Sequence, residues 1–336
     1  MPKPSTSNVA SDPQSPPADP IRVGISRCLL GDQVRYDGQH KRSTFAAEVL
    51  AEHFQFVPVC PEVEVGMSIP REPVRLVGLG TENIASPRMV APKSGIDWTE
   101  KMNRFCQRRV RELESLELNG FILQQKSPSC GMERVKLFGP KNQPRSVGVG
   151  LFAAELMKQY PLLPVEEEGR LNDMSLRENF LVRVFSYSRL RKLFKQRWSR
   201  GKMVEFHSQH KYLLMAHQPA ALKTLGRLVA EIKQYSAVDF RNEYGNQFMH
   251  ILNQKTTVKK NVNVMQHLMG YLKKVIGSTE KSHLLSLIED YQARLVPLIV
   301  PLTVLQHYFI LYPSSYVEKQ VYLWAHPKEL MLRNHV

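Results

Sequence analysis

The stretches RVGISRC (22–28), QFVPVC (55–60) and GFILQQKSPSC (120–130) decide the fold. Each begins as a short β-rich run, and the cysteine comes shortly after it. Two further β-rich runs lie at Val74–Leu76 and Val135–Phe138, with helical segments such as Ser43–His53 and Trp98–Leu116 between them. This alternation predicts an α/β domain over residues 21–160 with a mostly parallel open sheet. In such a sheet the carboxyl ends of the strands border the ligand crevice. Cys28, Cys60 and Cys130 are therefore expected to converge there.

The grammar changes after Pro161 and Pro164. Residues 161–178, with the acidic run Glu166–Glu168, read as a linker, and strand signals then nearly vanish. Amphipathic stretches at Asn179–Trp198, Lys202–Ala216, Ala220–Val238, Glu243–Asn253, Lys260–Val275, Glu280–Leu295 and Glu318–Leu323 predict an all-α domain over 179–336. At the other end, residues 1–20 hold Pro2, Pro4, Pro13, Pro16, Pro17 and Pro20 among Ser, Ala and Asp. That composition predicts a disordered arm, and it has no apolar centre of the kind a secretory signal needs. The most apolar stretch, Leu295–Leu311, is broken by Pro297, Pro301, Gln306 and His307. It falls short of the roughly 20 residues that span a bilayer, so no membrane partner is expected, the stretch reads as a buried helix pair, and the location is read as cytoplasmic.

The chain has 336 residues, 4 of them Cys, and a formal charge of +15. Four cysteines without a Cys-x-x-Cys pair exclude a disulfide framework and argue against a zinc finger. The charge is uneven. Residues 166–336 carry 25 Lys+Arg against 14 Asp+Glu, and 200–281 alone hold 13 against 5. A basic surface of this kind points to a polyanionic partner.

Cys106 stands apart from the other three thiols. Met102, Phe105, Cys106, Val110 and Leu113 form one apolar helical stripe, which places this thiol in the core. The remaining three suit zinc with one open position, an iron–sulfur cluster with one open iron, or three unrelated buried sites. Glu62 follows Cys60 by two residues, and Ser127 precedes Cys130 by three in a turn stiffened by Pro128. The turn RYDGQHKR (35–42) is crowded with cations that either meet phosphate or are simply solvated.

The blocks SRCLLGDQVRYDGQHKR, VPVCPEVEVGMSIPREPVRL and GFILQQKSPSCG resemble the three signature blocks of the thiouracil desulfidase (TudS) family. The likeness covers roughly residues 21–160. The blocks FHSQHKYLLMAHQP and VNVMQHLMGYLKK resemble the helical domain often fused to it, as in the RudS-type enzymes that remove sulfur from 4-thiouridine in tRNA. The resemblance implies that Cys28, Cys60 and Cys130 ligate a 4Fe-4S cluster whose fourth iron meets the thiocarbonyl sulfur. It makes Glu62 the acid/base and Ser127 an assisting hydroxyl, gives Cys106 no ligand role, and implies non-redox C–S cleavage with release of sulfide.

A free base needs only a pocket, so the basic helical half calls for a larger substrate. Arg35, Lys41 and Arg42 near the crevice, and His210, Lys211, Tyr212, Lys259, Lys260, Lys273 and Lys274 on the helices, are the candidate RNA contacts. His207, His210 and His217 read as packing or as surface rather than as a metal site. The expected substrate is tRNA containing 4-thiouridine, with no obligate protein partner. The alternatives are the same chemistry on free thiouracil or thiolated nucleosides, and a nucleic-acid-binding protein with a structural metal.

Overall fold

The computed structural model describes residues 20–78, 87–139 and 141–335; all but the last residue of the 1–20 arm lie outside the described residues. In chain order the first half contains β1 (Ile21–Ser26), β2 (Phe54–Val59), the single-turn helix α1 (Pro61–Glu64), β3 (Arg75–Val77), β4 (Arg88–Val90), α2 (Thr99–Glu114), β5 (Gly120–Leu123), β6 (Val135–Phe138), β7 (Pro144–Gly148), α3 (Leu151–Gln159) and β8 (Val165–Glu167). One four-stranded sheet has the order β2-β1-β5-β8, and all of its strands are parallel. The chain runs from β1 to β2 on one side and returns later to β5 on the other, so the strand order reverses at β1, the place where such sheets form a crevice at their carboxyl ends. A second sheet, β4-β3-β6-β7, mixes antiparallel pairs with the parallel pair β3–β6.

Local sequence explains the strands. All but one residue of β1 is buried, as a central parallel strand requires. Gly24 is needed there because a Cβ would lie 2.2 Å from the Phe121 ring on β5. The expected helix at Ser43–His53 forms instead as a wide turn, Phe45–Val49, followed by a tight one, Leu50–Glu52. On α2 the residues Met102, Phe105, Cys106, Val110 and Leu113 are all buried, so Cys106 lies in the core against α3 and β5.

Residues 161–178, expected as a linker, contain β8 and the beginning of the next helix. The acidic run misled the reading because its charges are matched inside the protein. Glu166 pairs with Arg170 at 2.6 Å and with Arg183 at 3.7 Å. Glu167 accepts from the Met132 N–H, and Glu168 from the Gln125 N–H.

The second half is mostly helical: α4 (Met174–Lys195), α5 (Arg200–His217), α6 (Pro219–Ala230), α7 (Ala237–Asn253), α8 (Val258–Leu272), α9 (Ser278–Gln292) and α10 (Ile299–Leu311). Asp173, Ser199, Ser236 and Thr257 cap α4, α5, α7 and α8 with side-chain oxygens on backbone N–H groups. The stretch Ala220–Val238 is not one helix, since the Ser236 cap starts a new one. Leu295–Leu311 holds one helix rather than two, and Glu318–Leu323 forms turns rather than a helix. Helix α4 joins the halves. Phe180, Leu181, Val184 and Phe185 pack with Val23, Ile25 and Ile122 of the parallel sheet in one core. Among the described residues no helix is long and apolar enough to cross a membrane.

Candidate active site

The three cysteines leave adjacent strands on the same edge. Cys28 sits in a tight turn directly after β1, closed by Gly31 at φ 109°. Cys60 ends β2 and caps α1, where Pro61 takes the first helical position and Glu64 accepts the Cys60 N–H at 2.8 Å. Cys130 lies in the loop after β5. The Ser127 hydroxyl organises that loop by accepting from the N–H groups of Ser129 at 3.2 Å and Cys130 at 3.1 Å. Gly150 presses against it so closely that a Cβ would lie 2.5 Å from the Ser129 backbone.

These thiols share one environment. Burial pushes Cys28 up to about 12, with the neighbouring Cys60 adding to the shift. Burial also raises Cys60, and it raises Cys130 well above the ordinary thiol range, where Cys60 and Cys28 act in the same direction. Cys130 thus senses the charge of both other sulfurs, and Cys28 that of Cys60. The Cys28 thiol faces Gln124 Oε1 at 3.8 Å, and the Cys60 thiol faces the Val34 carbonyl at 3.9 Å. Among the described residues no three His, Cys, Asp or Glu are grouped to hold a single metal ion. A cube of four irons and four sulfides is larger than one ion and takes its thiolates from a wider spread. Three soft donors, each costly to ionise without a cation, fit such a cluster in type and number.

Glu62 is fixed beside them. Arg71 places Nη2 at 2.5 Å and Nε at 3.0 Å from Oε2, while Ser129 Oγ donates to Oε1 at 2.8 Å. The Arg71 and Glu62 side chains are only 7% and 13% exposed. Arg71 also donates to the Val34 and Ser68 carbonyls, which ties the 31–42 loop to the site. Ser127, read as the assisting hydroxyl, is not the one that touches Glu62; the fully buried Ser129 is. Sequence reading missed Arg71 and Ser129, although both lie within the quoted blocks. It also missed Gln124, which bridges Cys28 to Glu168, a carboxyl raised by burial.

The candidate RNA contacts divide. Arg35 borders the crevice and lowers the Cys28 shift through its charge, though Asp37 stands 3.5 Å away. Lys41 is exposed and anchored by its N–H to the Cys28 carbonyl, and Arg42 pairs with Glu48. His210 is 1% exposed, bonded to the Phe206 carbonyl and packed on its ring, so it is not a surface contact. Tyr212 is also buried, with its hydroxyl on Tyr271. Lys260 caps the end of α5 by donating to the His217 carbonyl. Lys211 is half-buried over the Tyr212 ring, while Lys259, Lys273 and Lys274 are exposed. The first and last of these stand at opposite ends of α8, about 20 Å apart.

The sequence matches the model of the 2-thiouracil desulfurase family over residues 23–168, and that of a protein family of unknown function (DUF1722) over 211–327. The uncharacterized protein YbgA of Escherichia coli K12 is 31% identical over 47% of this chain and 94% of its own length. The uncharacterized protein YbbK of Bacillus subtilis 168 is 30% identical over 45% of this chain and 97% of its own. A solved [4Fe-4S]-dependent thiouracil desulfidase, TudS, is 27% identical over 47% of this chain and 97% of its own, with a TM-score of 0.38. Through the domain at residues 23–168, with its three cysteines on one sheet edge, the chain belongs to the 2-thiouracil desulfurase family.

Proposed function

We propose that the protein is a desulfidase that converts 4-thiouridine in tRNA to uridine, holding a 4Fe-4S cluster on Cys28, Cys60 and Cys130. The observation that carries this reading is the meeting of three thiols, Cys28 and Cys130 buried and Cys60 half-buried, with a clamped carboxylate at the crevice of a thiouracil-desulfurase domain. When bound, the cluster supplies an open iron, a Lewis acid for the soft thiocarbonyl sulfur.

The chain's own residues do the rest. The Nε and Nη2 donors of Arg71 occupy Glu62 Oε2, so Oε1 is the atom left to take a proton from the attacking water. Ser129, on that same oxygen, fixes its direction. Ser127 holds the Cys130 loop through two N–H groups and keeps its own proton available to the substrate. The basic helical half supports the larger substrate, with Lys259, Lys273 and Lys274 offered to phosphates and the exposed Tyr271, stacked on Tyr316 at 5.8 Å, offered to an unpaired base.

Anaerobic protein is expected to be brown and to lower 4-thiouridine relative to uridine in digested tRNA. Brown protein that leaves tRNA untouched and acts on free 2-thiouracil instead supports the second reading, which the description of the matching family favours.

A further inference from the structure

We infer that the cleft between the two halves is a second nucleobase pocket, which holds a base adjacent in the RNA strand to the thiolated one. The inference rests on the tRNA reading above. The cleft encloses about 750 Å³, within the roughly 300–1,000 Å³ of small-molecule sites. One wall carries Met132 and Val165, and the other carries Gln218, Asn246, Gln247 and Asn253. Met132 follows Cys130 by two residues, and its N–H is held by Glu167 at 2.8 Å. The cleft and the cysteine crevice therefore share one loop, and the proposed RNA strand places one base in the crevice and its neighbour in the cleft.

The chemistry of the walls selects the ligand. Among the described residues no carboxylate and no lysine lines the cleft. Its one arginine, Arg183, is already engaged by Asn179 and Glu166. Apart from the His250 imidazole, a phosphate finds no unpaired cationic side chain among the described lining residues, so the fit is to an uncharged ring. Carboxamides present a donor and an acceptor side by side, which is the pattern that reads a base edge. The Gln218 Oε1 atom is buried without a partner among the described residues. Apolar side chains such as Met249 and Leu163 provide the surface against which a ring face rests.

The test uses the full chain with Asn246→Ala, Asn253→Ala and the double variant; both side chains are exposed, so the fold should tolerate them. Fluorescence anisotropy measures binding of a uridine-containing tRNA, and kcat/KM is measured on the same tRNA carrying 4-thiouridine. Versions of that tRNA with each base beside the thiouridine replaced complete the set. The double variant should bind about tenfold more weakly, lose any preference for the flanking base, and keep wild-type iron content and melting temperature. Unchanged tRNA affinity overturns the inference while leaving the tRNA reading intact. Loss of iron or of thermal stability also overturns it, since the amides would then be structural. Wild-type protein that neither binds nor desulfurises tRNA overturns the tRNA reading and this inference with it.

Discussion

Arg71 grips Glu62 by one carboxylate oxygen, with Nη2 at 2.5 Å and Nε at 3.0 Å, and leaves the other oxygen to Ser129. A two-pronged guanidinium contact fixes the plane of a carboxylate in a way an ammonium does not. Arg71→Lys is therefore expected to lower kcat about 10- to 100-fold with iron content unchanged. Arg71→Ala should lose more, because it strands Glu62 in a half-buried site and frees the Val34 loop. Steady-state kinetics beside iron and sulfide analysis checks both, and a wild-type kcat in Arg71→Lys would remove the positioning role.

The two serines of the Cys130 loop should separate. Ser129→Ala removes the hydroxyl on Glu62 and is expected to reduce turnover about tenfold while iron is retained. Ser127→Ala leaves two loop N–H groups without their acceptor and should also loosen iron binding. The rate of iron loss to a chelator distinguishes them.

The four cysteines should fall into two classes. Alanine at Cys28, Cys60 or Cys130 is expected to give colourless, inactive protein. Cys106→Ala should keep colour and activity and lose about 1 kcal/mol of stability, as a small core truncation does. Visible absorbance, iron analysis and urea unfolding report on each class.

Acid should weaken the helical half. Burial lowers His210 to about 3 and His217 to about 4, so both stay neutral in the folded protein. Their unfolded values lie near 6.5. Between these limits the unfolded chain binds more protons, so stability falls as pH drops below about 6.5 and keeps falling toward 4. At pH 5 each histidine costs on the order of 1–2 kcal/mol. The urea midpoint should fall between pH 7.5 and pH 5, and His210→Asn should flatten that dependence.

Charge reversal tests the basic face. Lys273→Glu with Lys274→Glu should weaken tRNA binding and flatten the log–log salt dependence by about one unit per lost phosphate contact. Turnover of free 2-thiouracil should not change. An unaltered salt slope would remove these lysines from the RNA surface.

What the sequence alone determined was local. A β-rich run followed by a cysteine is a short-range pattern, and Gly120–Leu123 and Val135–Phe138 form the strands that periodicity indicates. The apolar stripe on α2 likewise marks Cys106 as core, because helical spacing places those side chains on one face. Three thiols on one edge follow from the parallel topology that such alternation implies.

Only the tertiary structure decided what depends on partners distant in the chain. Glu166–Glu168 read as a solvated linker because isolated carboxylates avoid burial. Arg170, Arg183 and the backbone N–H groups of Gln125 and Met132 make them a buried strand end. Ser127 and Ser129 are equivalent hydroxyls in sequence, and the fold alone chooses which one meets Glu62 across 67 residues. His210 and Tyr212 flank a lysine in the pattern expected of an RNA contact, yet helix packing turns both inward. Periodicity carries information along one segment; a buried charge or a hydroxyl takes its role from the segment it meets.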